Sequence, residues 1–173
     1  MKSKPDNLNS SPITEAITAF ATSSLDEGRA EAALQMTRIS LFDWLAVSIA
    51  GRYEPVSRLV RDYVSAEGGV AEASVVGMKQ KLPARAAAMA NGTISHALDY
   101  DDTHFAYLGH PSVAVFPASF ALAQKTGACS KAFLEASLIG MEAATRIGAW
   151  LGRNHHFVGF HSTATAGAFG AAL

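Results

Sequence analysis

The sequence predicts an all-α protein, and three observations support this fold class. Apolar residues recur every three or four positions along most of the chain, which is the spacing of one face of a helix. Strand patterns do not alternate with helix patterns, and no glycine-rich phosphate loop follows a strand, which argues against a parallel α/β sheet. Alanine is abundant and glycine occurs inside several helical stretches, so neighbouring helices can pack closely.

The helix boundaries follow from capping residues and apolar spacing. Residues 1–11 are predicted to be a flexible tail and residues 12–173 a helical domain, because Ser11 suits an N-cap and Pro12 the first helical position. Further helices are predicted at about residues 26–50, 54–66, 83–103 and 111–125, from Ser130 onward, and from Ser162 or Thr163. At most one short extended segment is expected, near residues 73–77.

Two helices show which residues the apolar spacing assigns to the core. The second helix is expected to bury a stripe of seven residues, namely Ala33, Met36, Ile39, Leu41, Trp44, Leu45 and Ile49. The third is expected to bury Val56, Leu59, Val60 and Val64. The chain stops at residues 170–173 inside an alanine-rich helical pattern without a capping residue, which predicts a domain truncated at its C-terminus.

Composition narrows the class of protein. The 173 residues amount to one domain or part of one, and 49% hydrophobic with 17% charged residues is typical of a chain with a core. The net charge of −1 argues against a nucleic-acid partner. No stretch reaches the roughly 18 apolar residues of a membrane span. The single cysteine, Cys129, rules out an intrachain disulfide, which favours a cytoplasmic protein, and it is predicted to be buried.

A polar stripe follows the helix predicted at residues 83–103. At about 100° per residue, its members fall within ~60° of one another: Gly92, His96, Asp99 and Thr103. A stripe of this kind is often only the solvated face of a helix. This helix, however, is poor in the lysine, glutamate and arginine that usually face solvent, so a functional role for the stripe is the alternative.

Two further histidines, His110 and His161, each directly precede a predicted helix. Unpaired N–H groups and a partial positive charge at a helix N-terminus attract carboxylates and favour the neutral imidazole. Two such histidines beside an anionic substrate could act as a general acid/base pair. The alternative for each is a capping or core residue whose hydrogen bonds are satisfied.

A metal site is not predicted. The six histidines and the aspartates at 99, 101 and 102 invite that interpretation. However, no cysteine pair and no His-Glu-x-x-His pattern is present, and the spacing from His104 to His110 matches no familiar ligand set. A metal-dependent hydrolase therefore stays an alternative only.

Three long segments resemble the MmgE/PrpD family, which includes 2-methylcitrate dehydratase, cis-aconitate decarboxylase and iminodisuccinate epimerase. They are NGTISHALDYDDT (91–103), GHPSVAVFPASFALA (109–123) and GFHSTATAGAFGAA (159–172), and weaker agreement extends upstream to about residue 13. The resemblance implies a helical domain with a separate lid domain that this chain lacks. It also implies a homodimer without metal or organic cofactor.

The resemblance also implies site residues and a substrate class. Matched residue by residue, the family's active-site positions correspond to Asp99, Thr103, His110 and His161. His96, Asp101 and Asp102 are candidates for supporting roles, with structural roles at least as well founded. The family uses lysines further along than residue 173, so this chain alone is expected to be inactive. DYDDTH and GHPSVA replace the DYNDTW and GHPSDN of the methylcitrate dehydratases, which favours another substrate.

These observations together give a functional hypothesis. The protein is expected to act on a small di- or tricarboxylate by proton transfer at a carbon alpha to a carboxylate. His110, His161 and Asp99 would be catalytic, and Thr103 would donate a hydrogen bond to the substrate. Dehydration, decarboxylation and epimerisation share a carbanion-like intermediate and remain open. The alternative is a non-catalytic helical module that serves dimerisation.

Overall fold

The computed structural model describes residues 13–23 and 27–173, and these form an almost entirely helical domain. The helices are α1 (Ile13–Thr22), α2 (Glu27–Gly51), α3 (Pro55–Glu67), α4 (Ala84–Ser95), α5 (Pro111–Thr126), α6 (Ser130–Leu151), α7 (Arg153–Phe157) and α8 (Ser162–Ala172). The all-α prediction is confirmed. The predicted tail and the predicted start at Ser11 and Pro12 lie outside the described residues.

The extended structure is slightly larger than predicted. Strand β1 (Ala73–Ser74) pairs antiparallel with β2 (Lys81–Leu82), where the sequence suggested one segment only. The buried Asn91 of α4 holds this hairpin, because its Oδ1 accepts from the Val76 N–H and its Nδ2 donates to the Ser74 carbonyl, each at 2.9 Å. A side chain 17 residues away therefore stabilises the predicted extended segment, whereas the pairing strand β2 was not expected.

The core lies where α4 and α5 cross the other helices. A cluster of small and branched residues fills the space between α3, α4 and the hairpin: Val64, Ala73, Val75, Leu82, Ala86, Ala87, Ala90, Ile94 and Ala121. The fully buried Trp44 packs against Phe116 and Phe120, with ring centroids 5.7 and 5.9 Å apart. Burial of a side chain such as Ile94 contributes roughly 1.5–3 kcal/mol to the stability of the fold. Helix α4 is therefore held in place by the core, and so is the start of the loop that follows it.

The assignment of the core face of α2 is largely wrong. Trp44 is buried as expected, but Met36, Ile39 and Ile49 are each more than half exposed. The face turned inward carries Leu34, Thr37, Trp44, Val47 and Ser48. In α3, likewise, Val64 is buried whereas Val56 and Leu59 are exposed. Because α2 is apolar on both sides, spacing alone does not indicate which side meets the other helices.

The predicted end of α4 is also wrong, and this changes the candidate site. The helix stops at Ser95 instead of continuing to residue 103. His96 takes φ −96° and ψ 0°, and Asp99 has a left-handed φ of 56° that few residues other than glycine adopt readily. Residues 96–110 therefore form a loop, and the helical stripe from Gly92 to Thr103 does not exist.

The remaining boundaries agree with the prediction except at α7. Helix α5 begins at Pro111 and continues through Pro117, and α8 begins at Ser162. The five-residue helix α7 was not expected. Cys129 is exposed at the N-cap position of α6, so its predicted burial is wrong. Within the described part of the chain, no helix combines the length and apolar character needed to cross a membrane.

Candidate functional site

The loop between α4 and α5 carries most of the candidate residues and is fixed at three points. Ser112, in the first turn of α5, donates from its backbone N–H to Asp102 Oδ1 at 3.1 Å and from its hydroxyl to Oδ2 at 2.6 Å. The His104 N–H donates to the Gly109 carbonyl at 2.9 Å. Tyr107 is buried against Gly148 of α6, where any larger residue would overlap its ring. The loop is therefore a fixed structure that can position side chains.

Asp101 is the buried centre of the loop, and its carboxylate lies between two imidazoles. Its side chain is 0% exposed. Oδ1 lies 2.8 Å from His96 Nδ1, and Oδ2 lies 3.1 Å from His110 Nδ1. A buried carboxylate is costly unless hydrogen-bond donors surround it, and here His96 supplies the donor to Oδ1 while Oδ2 has no aligned donor.

The hydrogen-bond geometry fixes the tautomer of neutral His110. Its Nδ1 lies 3.2 Å from the backbone carbonyl of Asp101, in better alignment than with the carboxylate Oδ2 of the same residue. Because a carbonyl oxygen only accepts, Nδ1 must carry the proton. Nε2 of the neutral ring is then an unprotonated acceptor that can take up a proton.

Asp99 lies near Nε2 of His110, the ring nitrogen opposite the one that contacts Asp101. Its Oδ1 is 3.4 Å from His110 Nε2, and its side chain is 77% exposed whereas that of His110 is 16% exposed. Two acceptors at this distance repel each other unless a proton or a donor group lies between them. The pair is therefore suited to hold a proton or to accept from a substrate hydroxyl.

The N-terminus of α8 meets this cluster. His161 occupies the N-cap position of α8, as His110 does for α5, so the prediction that both directly precede helices is confirmed. The ring of His96 lies between the other two, with centroids 4.8 Å from His110 and 6.1 Å from His161. Thr163 joins the two helix starts, because its Oγ1 accepts from the His110 N–H at 3.0 Å.

An open cavity of about 600 Å³ lies beside the imidazoles. The polar part of its wall is formed by His96, His161, Thr93 and Thr163. The rest of the wall is small and apolar: Val56, Gly92, Ala97, Val113, Ala114, Ala164, Gly167, Ala168 and Ala171. A small anion with an apolar carbon skeleton would find both kinds of partner here.

The electrostatics of the site are dominated by its carboxylates. The hydrogen bond to Asp101 raises the pKa of His96, and the charges of Asp101 and Asp99 act in the same direction while partial burial opposes them. On α2, burial and then the neighbouring Asp102 raise the pKa of Asp43. The carboxylates therefore favour a protonated His96 in the wall of the cavity.

Four of these side chains are also close enough together to bind a metal ion. His96, Asp99, Asp101 and His110 each offer one ligand atom, and these atoms lie within 4.8 Å of one another. In the structure, however, Asp101 hydrogen-bonds to His96 and lies against Nδ1 of His110, and an ion would have to displace those contacts. The expectation of no metal stays a prediction.

The structure brings together most of the predicted site residues, although not on one helix. Asp99 contacts His110, and His161 lies beside His96. Thr103 is exposed in the loop, and no described hydrogen bond joins it to the imidazoles. Sequence reasoning gave His96 only a supporting role and did not include Thr163 among the site residues, although Thr163 lies in the same segment, 159–172, as His161.

Comparison with known proteins agrees with this picture. The family model for the MmgE/PrpD N-terminal domain matches residues 13–173. Among curated proteins, the chain is 29% identical over 137 residues to the cis-aconitate decarboxylase-like protein oryM of Aspergillus oryzae. The match covers 75% of this chain and spans 28% of the length of that relative. The chain therefore belongs to the MmgE/PrpD family, and residues 13–173 correspond to the N-terminal domain of that family.

Proposed function

We propose that this chain is the N-terminal domain of a cytoplasmic enzyme that acts on a small di- or tricarboxylate by acid/base proton transfer alpha to a carboxylate. The observation that carries the proposal is the grouping of three imidazoles beside an open cavity: His96 and His110 contact the buried Asp101 carboxylate, and His96 and His161 line the cavity. Imidazoles exchange protons near neutral pH, so a site of this composition suits acid/base chemistry.

His110 is assigned the role of the base. Its Nδ1–H is held by the Asp101 carbonyl, so its Nε2, on the side of Asp99, would accept the proton from the carbon alpha to a substrate carboxylate. Asp99, 3.4 Å away, stabilises the imidazolium that results. Thr103 remains the expected donor to the substrate, as the family resemblance implies.

His161 and the start of α8 are assigned to binding a substrate carboxylate. The first turn of α5 already carries a negative partner, because Asp102 accepts from Ser112 at both oxygens. The first turn of α8 contains no acidic residue, and His161 and Thr163 of this turn line the cavity. Its N–H groups and partial positive charge therefore favour an anion at α8 over α5.

The outcome of the reaction remains open among dehydration, decarboxylation and epimerisation, which share a carbanion-like intermediate. The relative from Aspergillus oryzae is named for similarity to a decarboxylase, and that name describes the relative only. Since this chain spans 28% of the length of that relative, turnover is proposed to need segments equivalent to the remainder. The family resemblance further favours a homodimer that uses no organic cofactor.

Binding of carboxylates by the chain tests the proposal. Isothermal titration of the wild-type chain with citrate or cis-aconitate should show saturable binding, and His161→Ala should weaken it by roughly tenfold or more, since a hydrogen bond to a charged group contributes about 1.5–3 kcal/mol. His156→Ala, at an exposed position of α7, should leave the affinity unchanged. Equal weakening by both variants, or no binding of any di- or tricarboxylate, would contradict the proposal.

Two other functions have some support. The grouping of two histidines and two aspartates favours a metal-dependent hydrolase, which predicts stoichiometric zinc or iron in the purified protein. The apolar outer side of α2 favours a module that serves only dimerisation, which predicts self-association without carboxylate binding. Metal analysis and the titration above separate both from the proposed function.

A further inference from the structure

Asp101 differs from the other acidic residues of the site because its charge is fully buried. Oδ1 accepts from His96 Nδ1 at 2.8 Å, whereas no donor is aligned on Oδ2, which lies 3.1 Å from His110 Nδ1. Its side chain lines neither the cavity nor the surface. A carboxylate in this position has no direct access to a ligand, but it contacts His96, which lines the cavity, and His110, which lies behind it.

The consequence for His96 follows from the inventory of donors and acceptors. An ionised carboxylate only accepts, so the His96 Nδ1 that lies 2.8 Å away must carry a proton. When His96 is neutral, its second nitrogen, Nε2, is therefore an acceptor. His110 reaches the same state by a different contact, because its Nδ1 donates to the Asp101 backbone carbonyl.

We propose that Asp101 is a positioning residue that holds the Nδ1–H tautomer of both His96 and His110, through its side chain in the first case and mainly through its backbone in the second. Both Nε2 atoms are thereby kept as proton acceptors. The use of these acceptors on a substrate rests on the proposed function, but the tautomers themselves do not depend on it. A free imidazole in water favours neither arrangement so strictly, so the fixed tautomer is a property of this loop.

The tautomers are directly measurable in the whole 173-residue chain. In protein labelled with ¹⁵N at histidine, correlation spectra at alkaline pH distinguish protonated from unprotonated ring nitrogens. The expected result for the wild type is a protonated Nδ1 and an unprotonated Nε2 in both His96 and His110. A spectrum with a protonated Nε2 in either neutral ring overturns the proposal, and this outcome requires no variant.

Substitution of Asp101 separates its side-chain contact with His96 from its backbone contact with His110. In Asp101→Ala, His96 loses its acceptor and should shift toward the Nε2–H tautomer, while His110 should keep Nδ1–H because the backbone carbonyl remains. In Asp101→Asn, the apparent pKa of His96 should fall, because the charge that raises it is gone although Asp99, His110 and His161 still face the ring. Unchanged His96 resonances and an unchanged titration in both folded variants would contradict the proposal.

Asp102→Asn is the matched control. Asp102 is the next residue and also hydrogen-bonded, but its partner is Ser112 and not an imidazole. Because an asparagine amide oxygen can still accept from the Ser112 N–H, the loop keeps this anchor, and the control should leave both tautomers and the His96 titration as in the wild type. Because the measurement contains no substrate, failure of carboxylate binding would disprove the proposed function without affecting this result, and the reverse also holds.

Discussion

His96 shows at the residue scale how one side chain links chemistry with stability. It is the C-cap residue of α4, it contacts the buried Asp101, and it lines the cavity next to His161. Its Nδ1 proton is held by the carboxylate that is buried at the centre of the loop. Protonation of His96 should therefore be coupled to the folding of the loop, and the pH dependence of stability should reveal it.

The expected pH dependence follows from the raised pKa of His96. A group that binds its proton more tightly in the folded state adds stability below its unfolded pKa of roughly 6.5, and this stability is lost as the pH rises through the folded pKa. His96→Gln should therefore lower the free energy of unfolding more at mildly acidic pH than at alkaline pH. Urea denaturation across this range measures the difference.

A control for this experiment is His156→Gln, which changes an exposed histidine of α7. It should leave the unfolding free energy nearly unchanged at every pH. A loss for His96→Gln that is constant with pH, or that grows toward alkaline pH, would show that the ionic contact with Asp101 contributes nothing to stability.

At the scale of secondary-structure elements, close helix contacts decide how the site is assembled. Helix α8 packs against both α5 and α6, and this brings His161 to the loop that contains His110. At the crossing with α6, Gly140 and Gly170 face each other so closely that a methyl group on either would overlap the carbonyl of the other. The glycines therefore permit the separation of α6 and α8 that places His161.

We expect Gly140→Ala to destabilise the protein in spite of the better helix propensity of alanine. The gain in propensity is about 1 kcal/mol, whereas forcing a methyl group into a backbone contact costs roughly 1–3 kcal/mol and shifts α8. Gly92→Ala is the matched comparison, because its new methyl group would meet only ordinary contacts, the nearest at 3.5 Å. Thermal unfolding should show a lower Tm for Gly140→Ala and an equal or higher Tm for Gly92→Ala.

The opposite order of the two Tm values would show that α6 and α8 adjust without cost. A second readout is carboxylate binding, which should weaken in Gly140→Ala if displacement of α8 moves His161. Retained affinity with a lower Tm would separate the packing role of Gly140 from any effect on the site.

At the scale of the whole molecule, α2 is apolar on both sides. The inner side packs Trp44 against α5, while the outer side leaves Met36, Ile39 and Phe42 between 53% and 76% exposed. Exposed apolar side chains that lie close together on a soluble protein mark a surface that contacts another protein segment. If the protein forms the homodimer that the family resemblance implies, we expect a second copy of this chain to cover the outer side of α2.

Phe42→Glu tests this expectation. A charge at the most exposed of these positions should shift the chain toward monomer in sedimentation experiments across a range of concentrations, because a buried unpaired carboxylate opposes association. Ala132→Glu adds the same charge at an exposed position of α6 and should leave the monomer–dimer equilibrium unchanged. A wild-type chain that is monomeric at every concentration would instead indicate that another segment of the protein covers this side.

The sequence alone determined the helical class, the starts of α5 and α8 at Pro111 and Ser162, and the placement of His110 and His161 directly before them. These features are local, because proline at a first turn, capping preferences and apolar spacing act within a few residues. The family resemblance pointed to Asp99, His110 and His161, and the structure brings them to one end of the domain.

Only the tertiary structure decided where α4 ends, which side of α2 is buried, and that Asp101 and His96 lie at the centre of the site. The end of α4 and the position of Asp101 depend on contacts with residues distant in sequence. The buried side of α2 depends on which of two similarly apolar faces meets the other helices. Asp102 meets Ser112 ten residues on, and His110 meets Thr163 after 53 residues. Contacts of that separation override helix propensity because they satisfy buried polar groups that a longer α4 would leave without partners.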